Sequence, residues 1–123
     1  MSELFTREST AMLDHLPASG SMMLNATEIQ WQDGGVTGFW VKPLLEDSQK
    51  ELRTWLMKVE PGAFSESHSH TDIEQIFVIE GSFYDQNATY EPGAFIVRAA
   101  GAEHTAGSQD GCIVLLMYSP AST

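Results

Sequence analysis

The chain has few positive charges. Among its 123 residues Lys and Arg number 6, against 17 Asp and Glu, and the formal net charge is −11. A surface this acidic repels the phosphate backbone of nucleic acids and the anionic headgroups of membranes. We therefore expect neither a nucleic acid nor a membrane as a partner, and we expect a small-molecule substrate or ligand instead.

Cysteine and long apolar runs are also scarce. Cys112 is the single cysteine, which excludes an internal disulfide and a zinc site built on paired cysteines and agrees with a reducing compartment. No apolar run approaches the roughly 20 residues that cross a bilayer, and the first residues lack the basic and apolar regions of a secretion signal. The sequence predicts a cytoplasmic protein in which Cys112 is a small buried apolar residue.

The distribution of Gly and Pro predicts a single all-β domain. Ten Gly and five Pro separate many short runs of strand-forming residues, which predicts eight to ten strands in a barrel or sandwich of largely antiparallel pairs. The sequence Pro-Gly-Ala-Phe occurs at residues 61–64 and again at 92–95, and each copy predicts a turn that leads into a strand. Residues 1–21 lack this pattern. We expect them to form a loosely attached extension, with one short helix around residues 9–15, before the β domain at residues 22–119.

Three histidines and a glutamate predict a metal site. His68 and His70 are two residues apart, so in an extended strand both side chains project from the same face and can reach one ion. Glu74 follows four residues later, and His104 lies in a second segment thirty residues on. Imidazoles with one carboxylate suit a transition metal better than calcium or magnesium, which prefer oxygen ligands. We predict one divalent ion, iron(II) for catalysis, with zinc, manganese or nickel as alternatives.

These segments resemble the two sequence motifs of the cupin superfamily. The first has every defining residue of the first motif at the family's spacing, namely Gly62, His68, His70, Glu74 and Gly81. The second has the defining residues Gly93, Gly101 and His104 of the second motif. Ala99 stands where the family usually has proline and Ser108 where it often has asparagine. Neither position is a metal ligand, so the resemblance implies that the site itself is kept.

Residues 25–119 are most similar to the ChrR-type cupins. The resemblance is carried by short segments at residues 80–83, 90–93 and 111–114. This subgroup includes the sensory domain of ChrR anti-sigma factors and resembles acetylacetone and dihydroxyacetophenone dioxygenases. It implies a single small RmlC-like cupin β-barrel, a double-stranded β-helix or jelly roll, whose open mouth holds the ion. It also implies a homodimer, since small barrels commonly pair or cover exposed edge strands.

Several apolar residues and one arginine are candidates for the pocket above the metal. Aromatic and branched residues at alternate strand positions serve equally as pocket lining and as barrel core. Arg98 has two interpretations: it enters the cavity and binds an anionic group, or it forms a surface ion pair. The candidates for pocket lining are Trp40, Trp55, Met57, Phe64, Tyr84, Phe95 and Arg98.

The number of ligands leaves the chemistry open. Four protein ligands on a six-coordinate iron(II) or manganese leave two adjacent positions, enough for dioxygen and substrate, whereas a tetrahedral zinc is fully satisfied by the same four. The leading hypothesis is a non-haem dioxygenase of a small ketone or diketone, with no catalytic residue beyond the metal ligands. The alternatives are a non-catalytic ChrR-like sensor that acts through a separate protein, and an oxygen-independent isomerase or decarboxylase.

Overall fold

Nearly all regular structure in the described residues is β-strand. The computed structural model describes residues 6–9 and 12–121. Within them a single 3-10 turn, Ala26–Glu28, is the sole helical element. The strands are β1 (Thr6–Ser9), β2 (Ser21–Leu24), β3 (Gln32–Asp33), β4 (Phe39–Asp47), β5 (Leu52–Val59), β6 (Phe64–His68), β7 (Ile73–Gly81), β8 (Phe83–Tyr84), β9 (Thr89–Tyr90), β10 (Phe95–Arg98), β11 (His104–Gly107) and β12 (Cys112–Ser119).

Two antiparallel sheets form the body of the domain. The larger has the strand order β10-β7-β12-β5-β4-β3, and the smaller has the order β6-β11-β8-β9. The predicted all-β barrel of jelly-roll type is confirmed. The described residues contain twelve strands, more than the eight to ten predicted, because β3, β8 and β9 are only two residues long and because β1 and β2 pair near the N-terminus.

Strand β12 is the centre of the larger sheet. It pairs antiparallel with β5 on one side and with β7 on the other, and its residues alternate between buried and half-buried along the whole strand. Val114, Leu116 and Tyr118 point inward because side chains alternate between the two faces of a strand. Cys112 is buried at the start of β12, as predicted.

The hydrophobic core lies between the two sheets. The larger sheet contributes Val59, Ile76 and Val78, each at most 1% exposed, and the smaller sheet contributes Phe83 and Ala106. Apolar residues from both sheets therefore meet in one interior, which is the arrangement expected when each sheet has a single apolar face.

Both copies of Pro-Gly-Ala-Phe form the predicted turn. In the first copy the amide of Ala63 donates to the carbonyl of Glu60 at 3.0 Å, and in the second Ala94 donates to Glu91 at 3.0 Å. The glycines at the third position of each turn, Gly62 and Gly93, have φ values of 84° and 96°. Proline followed by a glycine with positive φ is the pattern of a type II turn, and each turn starts a strand, β6 or β10.

The sequence predicts a helix around residues 9–15, of which the structure describes residue 9 and residues 12–15. The prediction is wrong for these residues, and residues 10–11 lie outside the described part of the chain. Ser9 is in β1, which pairs parallel with β2. The amide of Leu13 donates to the carbonyl of Leu44, and Leu13 accepts from the amide of Glu46, both at 2.9 Å. A helix of seven residues is marginal without tertiary packing, so bonds to β4 satisfy this backbone instead. The boundary between residues 21 and 22 stays a prediction.

The outer face of the larger sheet carries exposed apolar residues at one edge. Phe77 and Ile79 on β7 and Phe95 and Val97 on β10 are 40–60% exposed. The expected homodimer stays a prediction. In the described part of the chain, no helix has the length and apolar character needed to cross a bilayer.

Two valines allow a matched test of the core. Val78 on β7 is fully buried, whereas Val97 on β10, the edge strand of the same sheet, is 60% exposed. We predict that Val78→Ala lowers the free energy of unfolding by about 2 kcal/mol, since it removes buried carbons and leaves a cavity. The control Val97→Ala should change it by less than about 0.5 kcal/mol. Urea unfolding followed by fluorescence measures both, and equal effects would contradict the proposed core.

Candidate metal centre

The three motif histidines come from the ends of two neighbouring strands in the smaller sheet. His68 ends β6, His70 follows it, and His104 begins β11. In the antiparallel pair of β6 and β11, His68 and His104 are direct partners, so their side chains emerge side by side. His104 is 4% exposed, and His68 and His70 are half-buried at the mouth of the barrel.

The imidazole rings converge on one point. One ring nitrogen from each of His68, His70 and His104 lies within 4.8 Å of the other two. The ring centroids are 4.4 Å apart for His68 and His104, 5.1 Å for His68 and His70, and 5.3 Å for His70 and His104. Three nitrogen donors so close together are positioned to bind a divalent metal ion, and nitrogen donors fit a transition metal.

Backbone carbonyls orient two of the rings. The Nδ1 atom of His68 lies 2.9 Å from the carbonyl oxygen of Glu66, and Nδ1 of His104 lies 3.1 Å from that of Ala102. A carbonyl oxygen only accepts, so Nδ1 is the protonated nitrogen in both rings. Nε2 is left with its lone pair free to bind a metal.

Burial keeps the histidines in the form that binds metal. Desolvation lowers the pKa of His70 and of His104 below the ordinary histidine value, although the Glu74 carboxylate acts in the opposite direction on both. Neutral imidazole is the metal-binding form. These rings therefore need not lose a proton before they bind an ion at neutral pH.

Glu74 lies at the edge of the three-histidine cluster. Its Oε1 atom is 3.6 Å from Nε2 of His104 and its Oε2 atom is 3.8 Å from Nε2 of His70. Both oxygens already accept shorter bonds, Oε1 from Arg98 Nε at 3.2 Å and Oε2 from the Tyr118 hydroxyl at 2.7 Å. Burial raises the pKa of Tyr118, so its hydroxyl stays protonated and donates. That Glu74 is a fourth ligand stays a prediction.

A largely apolar pocket opens onto this cluster. Its volume is about 150 Å³, below the several hundred Å³ typical of sites for drug-sized ligands. Besides the three histidines and Glu74, its walls are formed by Gly34, Val36, Phe39, Val41, Trp55, Met57, Ser65, Ile76, Phe83, Ala106, Leu116 and Tyr118.

Of the seven residues predicted to line the pocket, two residues of β5 lie in its wall and the other five do not. Trp55 and Met57 line the pocket. The other five side chains do not reach the pocket, because they lie on the opposite face of their strand or in another part of the barrel. Phe64 and Phe95 are 47% and 54% exposed, Tyr84 stacks on Phe64, and Trp40 donates to the carboxylate of Glu60 at 2.6 Å.

Arg98 is neither a pocket residue nor a surface residue. It is 8% exposed and forms a buried ion pair with Glu74 and with Asp85, whose Oδ2 atom accepts from Nη1 at 3.0 Å. The ion pair expected from the sequence is therefore present, but it is buried rather than at the surface, because Arg98 has the inward phase of β10 and lies opposite Glu74 on β7.

Strand phase could have identified one of the pocket residues that the sequence analysis missed. Ile76 is two residues from Glu74 on β7, and Tyr118 and Leu116 are the β12 partners of Glu74 and Ile76. Residues two apart share a face, so counting from Glu74 finds Ile76 directly. Tyr118 and Leu116 require the β7–β12 register, which the sequence does not show.

The two departures from the second motif are accommodated locally. Gly101 has φ of 81°, and the amide of Ala102 donates to the carbonyl of Ala99 at 3.1 Å, so the turn forms without proline. Ser108 is fully buried, and its hydroxyl donates to the carbonyl of Ser82 at 2.6 Å. The hydroxyl hydrogen of the buried Ser108 therefore has a backbone acceptor.

Comparisons with known proteins agree with this geometry. The family model described as the ChrR cupin-like domain matches residues 19–122. No curated protein matches the chain. Solved structures match at high probability. An RmlC-like cupin from Shewanella frigidimarina is 22% identical with a TM-score of 0.70, the match covering 79% of this chain and 88% of that chain.

Two further solved structures similar to this chain come from proteins of other names. KdgF from Halomonas sp. is 24% identical with a TM-score of 0.66, the match covering 78% of this chain and 92% of that chain. A chain of the complex of Rhodobacter sphaeroides SigE with the anti-sigma ChrR is 21% identical with a TM-score of 0.66, over 78% of this chain and 51% of that chain. At these identities the likeness shows the fold alone.

The convergence of the histidines predicts one metal ion per chain. We expect His104→Ala to weaken Co²⁺ binding by at least about 100-fold, since loss of a direct ligand should exceed the 10–100-fold cost of losing an outer hydrogen-bond partner. His15, which is exposed and outside the cluster, provides the control His15→Ala, which should bind as the wild type does. Chelator competition measures both affinities. Full affinity in His104→Ala would exclude this site.

Proposed function

Because the chain belongs to the family of ChrR cupin-like domains, we propose that it is a mononuclear non-haem metalloenzyme, an iron(II) dioxygenase of a small ketone or diketone. The observation that carries the proposal is a small apolar pocket that ends on three metal-binding imidazoles. Such a pocket fits a compact apolar molecule that presents carbonyl oxygens to the ion.

The wall of the pocket disfavours a substrate with a second charged group. Among the described residues that line it, none is Lys or Arg. The nearby cations already have acidic partners: Arg98 is paired with Glu74 and Asp85, and Arg53, which lies over the rings of Trp55 and Tyr118, is paired with Asp72. A carboxylate or phosphate away from the metal would therefore lose its hydration without gaining a partner, which is costly. This argues against sugar acids and phosphate esters and favours a neutral carbonyl compound.

The pocket also favours a substrate that forms an enolate readily. A bound divalent metal would polarise a carbonyl oxygen and stabilise the negative charge of an enolate, and iron(II) would in addition activate dioxygen. Among the described pocket residues, the hydroxyl of Tyr118 is committed to Glu74 and the indole N–H of Trp55 to Glu46. Neither can take a proton from carbon, since an indole N–H is a donor only and the Tyr118 hydroxyl is protonated and donates to Glu74. A β-diketone, which is already partly enolised in water, needs the least help.

Residues of this chain contribute positioning and exclusion of water. The carbonyls of Glu66 and Ala102 hold two imidazoles with Nε2 free. Phe39, Ile76 and Leu116 exclude water from one side of the cluster, and interactions between charges and dipoles are stronger where water is excluded.

A second candidate is a sensor of a metal or small ligand. It is favoured by the family model, which is described by the name ChrR, and by the match to a chain of the SigE–ChrR complex. A third candidate, an isomerase or decarboxylase that does not use oxygen, needs the same metal site. The three differ in whether turnover occurs and whether it consumes dioxygen.

Oxygen uptake tests the leading proposal. We predict that protein loaded anaerobically with iron(II) consumes one dioxygen per β-diketone cleaved, and that ¹⁸O₂ places one labelled atom in each fragment. Zinc-loaded protein is the control and should consume none, because zinc has no redox chemistry. Turnover under argon would favour the third candidate. Absence of turnover with any β-diketone or hydroxyketone would contradict the dioxygenase proposal.

Ser65 should set affinity for the substrate's second oxygen. Its side chain lines the pocket beside the metal cluster, and its hydroxyl has no hydrogen-bond partner among the described residues. One neutral hydrogen bond contributes about 0.5–1.5 kcal/mol, so Ser65→Ala should raise the diketone KM by about threefold to tenfold. The control Ser67→Ala, at an exposed position of the same strand, should leave KM unchanged. Equal KM values in both variants would exclude this role.

A further inference from the structure

Glu74 is held by its two neighbours in the larger sheet. On β7 it lies opposite Arg98 on β10 and opposite Tyr118 on β12. All three residues are at most 8% exposed. Arg98 donates to Oε1 and Tyr118 donates to Oε2, so one neighbour holds each oxygen. A carboxylate oxygen has more than one acceptor site, which leaves capacity for a metal on the side of the histidines.

Arg98 is itself anchored from the other sheet. Its Nη1 atom donates to Asp85 Oδ2 at 3.0 Å, and the Asp85 side chain is fully buried. Asp85 lies just after β8 and also accepts from the amides of Asn87 and Ala88 and from the hydroxyl of Tyr90. A continuous chain of hydrogen bonds therefore runs from the β8–β9 turn through Asp85 and Arg98 to the carboxylate beside the histidines.

Within the described residues, one hydrogen-bond donor of Arg98 is unsatisfied, which is not expected of a residue that only stabilises the fold. Its Nη2 atom is buried and has no hydrogen-bond partner in the part of the chain that the structure describes. A buried N–H without a partner is unfavourable, and a buried ion pair often stabilises a fold no more than apolar residues of similar size would. Departures of this kind concentrate at functional sites.

We propose that Asp85 and Arg98 form a positioning device that aims Glu74 at the metal, so that the β8–β9 turn controls metal affinity without touching the ion. A carboxylate held only by Tyr118 can turn about that one hydrogen bond, whereas the second bond to Arg98 determines its plane. The inference rests on the metal site that the proposed function requires, and it does not depend on the reaction.

The device predicts the effect of each of its members. Arg98→Met should weaken Co²⁺ binding by about 10–100-fold, the range found when an outer partner of a metal ligand is removed. Asp85→Asn should weaken binding less and in the same direction, because Arg98 keeps its bond to Glu74 but loses its anchor. Arg98→Lys should recover part of the loss, since an ammonium can donate one of the two bonds. The control Lys58→Met removes one positive charge beside Trp31 and should bind as the wild type does.

A double-mutant cycle tests whether Arg98 acts through Glu74. Co²⁺ affinity and the visible cobalt spectrum are measured for the wild type, Arg98→Met, Glu74→Gln and the double variant. We expect Arg98→Met to cause no further loss of affinity once Glu74 is changed, because coupled residues are not additive. Additive losses, or unchanged or tighter binding in Arg98→Met with only a lowered melting temperature, would overturn the proposal.

Three outcomes other than a change in metal affinity are distinguished as follows. If Arg98→Met does not fold, the same cycle is run with Asp85→Asn and Glu74→Gln, which retain the arginine. If the wild type binds Co²⁺ but consumes no oxygen, the dioxygenase proposal fails while the cycle still tests the positioning of Glu74. If the wild type binds no Co²⁺, the inference is overturned.

Discussion

The register of β7 between β10 and β12 determines both the candidate site and the packing around it. It places Glu74 between Arg98 and Tyr118, and it places Ile76 beside Leu116 in the pocket wall. A slip of one residue would exchange the two faces of β7. The carboxylate would then be exposed, and Phe77, which is 40% exposed, would be in the interior. Chemistry and packing are therefore determined by the same pairing.

The interior contains an ionic cluster beside an apolar pocket, and the ion pairs of the cluster explain why the charge of Arg98 does not enter the pocket. Glu74, Asp85 and Arg98 are buried but connected to one another, as buried charges must be. This connection keeps Arg98 out of the pocket, and the pocket wall above the histidines is largely apolar. A metal-binding site at the boundary of such a wall suits a reaction in which negative charge develops on a small neutral compound.

The sequence supported some parts of this site better than others. The histidines were predictable because two lie at strand spacing and the third completes a motif, and the structure brings all three together. Trp55 and Met57 line the pocket, whereas Phe64 and Phe95 are exposed, because an aromatic residue on a strand fits either face until the register is known. The helix near residues 9–15 was wrong, because backbone bonds to β4 replace weak local preference.

The all-β class, the turns at residues 61–64 and 92–95, and the three candidate metal-binding histidines could be inferred from short segments of sequence. They follow from the two-residue repeat of strands, from the conformational preference of Pro-Gly and from the donor chemistry of imidazole, all of which are local properties. The burial of Arg98 against Glu74 and Asp85 and the position of Ser65 in the pocket wall became visible in the folded chain. Those outcomes depend on which strands become neighbours and in which register, and this is settled by the burial of the whole core rather than by any short segment.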